Sequence, residues 1–329
     1  MRFITLILLS MILSSALAAS DESRPSKVSR GVDPFGGFTS MGPPIPMMTY
    51  EGRYSPGDKA PSFTENKLNL LAPMYKTETN SVSLLFNNTY FHLGDRVVLD
   101  SGKRVSRDLY RMETGAQYHQ QLPEKKSWGL RGTVGYAGDK PSLKSNDLTY
   151  NFIGNYGFPG SGKGYWMFML FFSNNGPLGN YIPIPGVSYL YKTENFTAML
   201  GFPIFSLRWT PVSPWSFSLG FYAFNIRSEI AYGSSEKIQF FSCYYMTRQN
   251  YIPQERENTK DRLTIEEKKV ALGFRKTFWD SVQGEFQLGP VFDRSIYIGH
   301  GRSGSDKKSA GNVSIPSEWY ASLNLKVKF

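Results

Sequence analysis

Cysteine and histidine are both scarce in this sequence of 329 residues. Cys243 is the single cysteine, so the chain cannot form an intramolecular disulfide. There are three histidines, and no spacing of His or Cys is typical of a metal site. We therefore expect no metal, no cofactor and no disulfide framework.

Long apolar runs are also missing after the N-terminus. The longest one, Tyr165 to Phe172 (YWMFMLFF), has only the length of a strand, whereas a membrane-spanning helix needs about 20 residues. A chain that crosses lipid without such a helix must form a closed barrel, because every backbone polar group needs a partner inside the bilayer. The mean hydropathy of −0.34 fits a barrel whose inner face is polar.

The N-terminus has the three parts of a secretory signal peptide. Arg2 supplies the positive charge, the apolar segment covers 3–13, and Ala16-Leu17-Ala18 forms a small-residue cleavage site. The sequence thus predicts a cleaved signal peptide at 1–18, and a retained anchor would need a longer apolar run. Residues 19–46 are rich in Gly and Pro and lack periodicity, so we expect a flexible lead, with a plug in the lumen as the alternative. The predicted barrel is 47–329.

The last eleven residues, Trp319 to Phe329 (WYASLNLKVKF), alternate between two faces. Every second residue from Trp319 is apolar, with alanine the smallest of them. The intervening residues are mostly polar, as expected for a strand with one face in lipid. A free strand of this kind would promote aggregation in a soluble protein. In a closed barrel it pairs with the first strand, so the pattern favours a barrel over a soluble β-sandwich.

The whole chain predicts an all-β fold, a transmembrane antiparallel β-barrel of about 14 strands with a range of 12 to 16. Short periplasmic turns alternate with longer outer loops, as is usual in such barrels, and only the short connection 210–213 breaks this order. A bulge or register change is expected at Phe202-Pro203, and a split of 195–209 into two strands is an open alternative. The predicted strands are 47–54, 66–76, 80–93, 107–121, 126–137, 147–157, 164–173, 182–192, 195–209, 214–229, 236–250, 262–277, 281–298 and 316–329.

Side chains alternate between the two faces of a strand, so every second residue of a barrel strand points into the lumen. The charged residues at these inward positions of the predicted strands are the candidate lumen lining. Arg or Lys facing lipid costs about 2–4 kcal/mol at mid-bilayer, so parity gives their direction. Either they pair with one another and stiffen the barrel, or they form a charged constriction that tunes solute passage. These residues are Arg111, Glu113, Arg131, Arg275, Glu285, Asp293, Lys326 and Lys328.

The net charge of +10 does not predict nucleic-acid binding, because the 37 Lys and Arg residues are spread along the chain. The expected partner is outer-membrane lipid. Nor do the histidines predict an enzyme. His300 lies near Ser303 and Asp306 in a Gly/Ser-rich stretch, which would not hold a nucleophile rigidly against a base. We therefore expect no catalytic residues.

Three stretches resemble an uncharacterised family of bacterial outer-membrane β-barrels that carries a domain of unknown function. They are MTYEGRYSPG, IPIPGVSYLYKTENFTAMLGFPIFSLRWTP and the final strand, so the likeness spans about 48–329. The resemblance implies a barrel in the outer membrane and no catalytic residues. The terminal Phe329 resembles the end of the strand that such barrels present to the outer-membrane assembly machinery, which is the second expected partner.

These observations favour a passive channel or uptake protein for small solutes. One alternative is a sealed barrel with a structural or surface-binding role through loops 94–106, 251–261 and 299–315. The other is a lipid-modifying enzyme of the outer membrane. The sequence does not identify a solute.

Overall fold

Antiparallel strands dominate the computed structural model, which describes residues 45–57, 61–142, 144–176, 181–300 and 311–329. The predicted signal peptide 1–18 and most of the predicted lead, 19–44, lie outside the described residues. The described helices are two 3-10 turns, Pro123–Lys125 and Ser145–Asp147. Within the described ranges, no helix is long and apolar enough to cross a membrane.

The strands form one closed antiparallel barrel, as the sequence predicted. Neighbouring strands are antiparallel, and the first strand pairs with both the second and the last, with Met48 opposite Val327 at the seam. The strands are β1 Met47–Ser55, β2 Phe63–Lys76, β3 Asn80–Leu93, β4 Asp108–Gln121, β5 Ser127–Gly138, β6 Leu148–Pro159, β7 Gly164–Ser173, β8 Ile184–Lys192, β9 Phe196–Phe202, β10 Ile204–Trp209, β11 Trp215–Tyr222, β12 Asn225–Ser234, β13 Ile238–Tyr251, β14 Asp261–Phe278, β15 Val282–His300, β16 Asn312–Ile315 and β17 Glu318–Lys328.

Sixteen strands surround the barrel, because β16 and β17 are successive parts of one strand that both pair with β15. This number lies within the predicted range of 12 to 16 and is two above the central value of about 14. Both extra strands come from 195–229, where hairpins at Pro203 and at Ala223 divide two predicted strands. The open alternative of a split at Pro203 is thereby confirmed.

This division also explains the one connection that broke the predicted order. The end of the barrel that carries Met47 and Lys328 is called the periplasmic end here, following the usual rule for such barrels. With the two additional hairpins, 210–214 becomes a turn at that end. The turns there are all short, at 77–79, 122–126, 160–163, 193–195, 210–214, 235–237 and 279–281.

The outer surface carries the apolar belt expected of a membrane barrel. Leu323 is 58% exposed, whereas Ser322 beside it is buried against the lumen. Aromatic pairs mark both margins of the belt: the rings of Tyr90 and Tyr110 are 5.2 Å apart near the outer end, and those of Tyr118 and Trp128 are 5.0 Å apart near the periplasmic end. No second sheet covers this surface in the described ranges, so the β-sandwich is excluded.

The barrel wall is much lower on one side than on the other. β10 has 6 residues, whereas β15 has 19, which corresponds to rises of roughly 15 Å and 50 Å for tilted strands. At the outer end, β13 leans over the low wall formed by β6 to β12. There Ile252 forms a parallel bridge with Gly138 at the end of β5. The upper part of the barrel is therefore narrower than the part in the membrane.

Candidate functional site

Two networks of paired charges occupy the inner face of the barrel. The first is centred on Glu267 of β14, which forms ion pairs with Arg53 of β1, Lys269 of β14 (3.1 Å) and Arg294 of β15 (3.3 Å). Arg53 also contacts Glu65 of β2 at 2.7 Å. These side chains are almost completely buried, so the network joins four strands around the seam and neutralises charges that would be costly alone.

The second network is centred on Arg275 of β14. Its guanidinium group forms ion pairs with Glu229 of β12 and, at 3.2 Å, with Glu285 of β15. Arg227 contacts Glu229 at 2.9 Å. In addition, Arg275 Nε donates a 2.7 Å hydrogen bond to Gln239. Two of the candidate lumen residues, Arg275 and Glu285, therefore meet each other and serve a paired, structural arrangement.

The other inward candidates lie at two heights. Lys326 and Lys328 share the inner face of β17 with the buried Tyr320 and Ser322, at the periplasmic end. Arg111, Glu113 and Arg131 lie together in the outer half of the lumen, where they line one cavity. Apart from Asp293, the residues that the sequence placed in the lumen are thus distributed over three separate places.

The prediction that Asp293 faces the lumen is wrong. Asp293 is 64% exposed and forms an ion pair with Lys268, which faces outward between the inward-facing Glu267 and Lys269. The cause is a bulge: Asp293 has a φ of 48°, and the register of β14 against β15 shifts between Glu266 and Lys268. The inward face of β15 therefore changes from odd to even residues at this point, and Asp293 lies outside the barrel.

We call the cavity in the outer half of the lumen the basic cavity. Its volume is about 240 Å³, and its charged wall consists of Arg111, Glu113, Arg131 and Arg248. The Arg111 side chain donates a 2.8 Å hydrogen bond to the carbonyl oxygen of Asn250. Arg111 and Arg248 have no carboxylate within ion-pair distance among the described residues, and the Nε atoms of both are buried without a hydrogen-bond partner there.

A second part of the wall of the basic cavity is apolar. Phe171 of β7 and Tyr222 of β11 contribute rings whose centroids are 6.0 Å apart. Ile153, Ile184 and Pro203 complete this wall. It is continuous with an apolar cluster on the inner faces of β7 to β10, so the cavity has both cationic and hydrophobic side chains in its wall.

Loops close the barrel above the lumen. In loop 94–107, Val97, Leu99 and Val105 pack against a buried cluster on the inner face that includes Phe63 and Ile298. We call loops 94–107, 139–147 and 252–260 together the outer cap. They are joined by polar contacts as well, since Lys103 Nζ donates a 2.9 Å hydrogen bond to the carbonyl oxygen of Glu255 in loop 252–260.

An ion pair fixes the second contact of the outer cap. Arg256 Nη1 lies 2.8 Å from Asp147 Oδ1, and Ser142 Oγ donates a 2.7 Å hydrogen bond to the other carboxylate oxygen. Burial of Asp147 opposes its ionisation, but the bonds from Ser142 and Arg256 outweigh burial and lower its pKa. The carboxylate is therefore ionised at neutral pH and holds loop 252–260 in place.

His92 and His119 do not share a site. His92 lies on the outward face of β3, where its Nδ1 is 2.8 Å from Asp108 Oδ1. His119 lies on the inward face of β4, towards the periplasmic end. Ser303 and Asp306 lie outside the described residues, so the sequence-based arrangement with His300 is untested.

Sequence reasoning missed Arg248 and most members of the two networks. Arg227 with Glu229, and Glu267 with Lys269, have the same every-second-residue spacing that identified the other candidates, so parity alone would have found them. Arg248 is different, because it lies on the face of β13 opposite to Thr247, which contacts Glu267 in the lumen. It reaches the basic cavity only because β13 leans towards β5.

The chain matches no protein-family model and no curated protein. Among solved structures it is similar to an outer membrane channel from Pseudomonas putida F1, at 13% identity with a TM-score of 0.38, covering 91% of this chain and 100% of that one. It is also similar to the toluene transporter TodX of Pseudomonas putida, at 8% identity with a TM-score of 0.40, covering 89% and 92%. A third is the outer membrane protease OmpT from Escherichia coli, at 10% identity with a TM-score of 0.18, covering 86% and 97%. These proteins are bacterial outer-membrane β-barrels, and the likeness is one of fold alone.

Proposed function

We propose that this protein is a passive channel of the bacterial outer membrane for small solutes. The observation that carries the proposal is the basic cavity, a space of about 240 Å³ in the lumen. Its wall includes Arg111 and Arg248, which have no carboxylate within ion-pair distance among the described residues. A sixteen-stranded barrel is wide enough to hold a lumen between its walls. Polar groups facing this space replace part of the hydration of a passing solute.

The two kinds of lumen charge have separate roles in this proposal. The networks around Glu267 and Arg275 hold strands together, because their charges are buried and paired. Arg111, Arg131 and Arg248 face the basic cavity together with a single carboxylate, Glu113. A water-filled passage lined in this way attracts anions, so the proposed channel prefers anions to cations.

The test is electrical. Purified full-length protein in planar bilayers is expected to give stepwise conductance, with a reversal potential in a KCl gradient that shows anion preference. Arg131→Gln should lower this preference, whereas Lys163→Gln, which removes the same charge in an exposed periplasmic turn, should leave it unchanged. Silence at all voltages and salt concentrations would reject the channel.

A sealed barrel is the second candidate, and the outer cap is the observation that favours it. Val97, Leu99 and Val105 pack with apolar side chains against the inner face at the outer end, so they narrow the lumen there. Deleting 98–104, the hairpin closed by the bridge between Val98 and Arg104, separates the two functions. A sealed barrel is silent until this hairpin is removed, whereas a channel conducts with the hairpin in place.

A further inference from the structure

The charges of the basic cavity differ in kind from those of the rest of the lumen. Arg53, Arg275 and Arg294 each contact at least one buried carboxylate. In contrast, neither Arg111 nor Arg248 has a carboxylate within ion-pair distance in the described part of the chain. Both side chains are half-buried, so this wall offers positive charge to an anion that the protein itself does not supply.

The hydrogen-bonding state of these two arginines agrees with an external anion. Arg111 uses one Nη atom for the carbonyl oxygen of Asn250, and Arg248 stacks over the ring of Phe224 at 4.9 Å. The Nε atom of each is buried and has no hydrogen-bond partner among the described residues. A guanidinium group binds a carboxylate best through two parallel N–H groups, of which Nε–H is commonly one.

The apolar wall restricts the anion further. An inorganic ion would leave the half-buried Ile153 and Ile184 in contact with water, whereas a ligand with an apolar body would cover them. Small-molecule pockets usually combine such a wall with a few polar groups that fix orientation. At about 240 Å³ the cavity is below the usual size of drug-sized pockets, so the apolar body must be compact.

We propose that the basic cavity is a binding site for a small organic anion that has one carboxylate and a compact apolar body. The carboxylate meets Arg111, Arg131 and Arg248, and the apolar body packs against Phe171 and Tyr222. This inference deepens the proposed channel function and names the class of solute. The inference rests on the proposed channel function, because that function gives the bound anion its role as a solute. Its test is independent of the channel, because binding is measured without a membrane current.

The experiment is a calorimetric titration of the full chain, purified in detergent, with three probes. Benzoate carries both the charge and the apolar body, benzyl alcohol lacks the charge, and inorganic phosphate lacks the apolar body. Benzoate is expected to bind at least about tenfold more tightly than either of the others, which corresponds to one lost charge-assisted bond. Equal binding of benzyl alcohol or of phosphate overturns the inference.

Two double variants separate the site from general attraction by the lumen. Arg111→Gln with Arg248→Gln removes two positive charges at the cavity and should weaken benzoate binding at least about tenfold. Lys326→Gln with Lys328→Gln removes the same charge at the periplasmic end of the lumen and should change the affinity by less than about twofold, since exposed charges more than a Debye length away are screened. An equal loss in both variants overturns the site.

A third variant tests the apolar wall without altering charge. Ile153→Trp places a larger side chain in the cavity and should abolish benzoate binding, while heat-modifiable mobility on a gel shows that the barrel has folded. Retained affinity in the folded variant contradicts the site. Binding without conductance rejects the channel and leaves the site, whereas conductance without benzoate binding rejects the site and leaves the channel.

Discussion

The backbone N–H of Ile252 donates a 2.7 Å hydrogen bond to the carbonyl oxygen of Ala137, and this bond joins β13 to β5 across the lumen. Seven strands, β6 to β12, separate these two partners in the sheet. Both residues are almost completely buried. The contact thus closes a narrower upper barrel over the low wall, and it places Arg248 above the basic cavity.

Removing this hydrogen bond should loosen the outer cap. Ile252→Pro lacks the donor and is expected to raise the rate of trypsin cleavage after Arg256 by at least about threefold, because a typical hydrogen bond contributes about 0.5–1.5 kcal/mol. Ile252→Val keeps the N–H and most of the side chain, so its cleavage rate should match the wild type. An unchanged rate in the proline variant would show that the bridge does not hold the loop.

The network around Glu267 should be a major source of stability. Glu267→Gln leaves the buried Arg53, Lys269 and Arg294 without the carboxylate that each contacts. Breaking a buried pair costs about 3–5 kcal/mol, to be measured as a lower free energy of unfolding in urea in lipid vesicles. Glu51→Gln is the matched control: its pair with Lys67 is 3.9 Å long and partly exposed, so it should cost less than about 1 kcal/mol.

The exposed apolar belt should respond to charge as a lipid-facing surface does. Leu323 lies near the middle of β17 and is 58% exposed, and Leu323→Arg is expected to cost about 2–4 kcal/mol of unfolding free energy in lipid vesicles. Val98→Arg introduces the same side chain at an exposed position of loop 94–107 and should have an effect within about 0.5 kcal/mol. Equal effects would contradict a membrane-embedded Leu323.

The pairing of Asp147 with Arg256 predicts the acid response of the outer cap. The pKa of Asp147 is lowered in the folded protein, because its bonds with Ser142 and Arg256 outweigh burial. The stabilisation is therefore present above the ordinary aspartate pKa of about 3.9 and is lost as the pH falls through the lower folded value. Hydrogen-exchange protection of loop 252–260 should stay constant from pH 7 to about pH 5.

The control for this pH response is Asp147→Asn. This variant lacks the charge at every pH, so loop 252–260 should be less protected at pH 7 and should show no further loss on acidification. Loss of protection in the wild type at pH 5 to 6 would mean that the carboxylate is protonated there, and it would contradict a lowered pKa.

The sequence predicted the barrel because lipid outside and water inside impose strict alternation on every strand. Ser322 and Leu323 point to opposite sides, as their parity requires. Proline was the second useful signal, because it predicted where a strand is interrupted. Pro203 lies at the hairpin between β9 and β10. Local chemistry sufficed in both places, so neither prediction needed knowledge of distant contacts.

The missed features depend on backbone geometry that side-chain chemistry does not reveal. The turn after Tyr222 has Ala223 at a φ of 54°, a conformation that is normally marked by Gly or Asn. Asp293 turns outward through a bulge, and a single extra residue reverses parity for the rest of a strand. Arg248 enters the basic cavity because β13 leans over the low wall, and this lean follows from the short strands β6 to β12.

The seam between β1 and β17 has a consequence for how the molecule is made. All other neighbouring strands follow one another in the chain, but Met48 and Val327 come from opposite ends of the barrel segment. Contacts so distant in sequence carry a large entropic cost of loop closure, yet the ring is complete only when this pairing has formed. A chain without β17 would leave two rows of unbonded amides and carbonyls in hydrocarbon, along β1 and along β15.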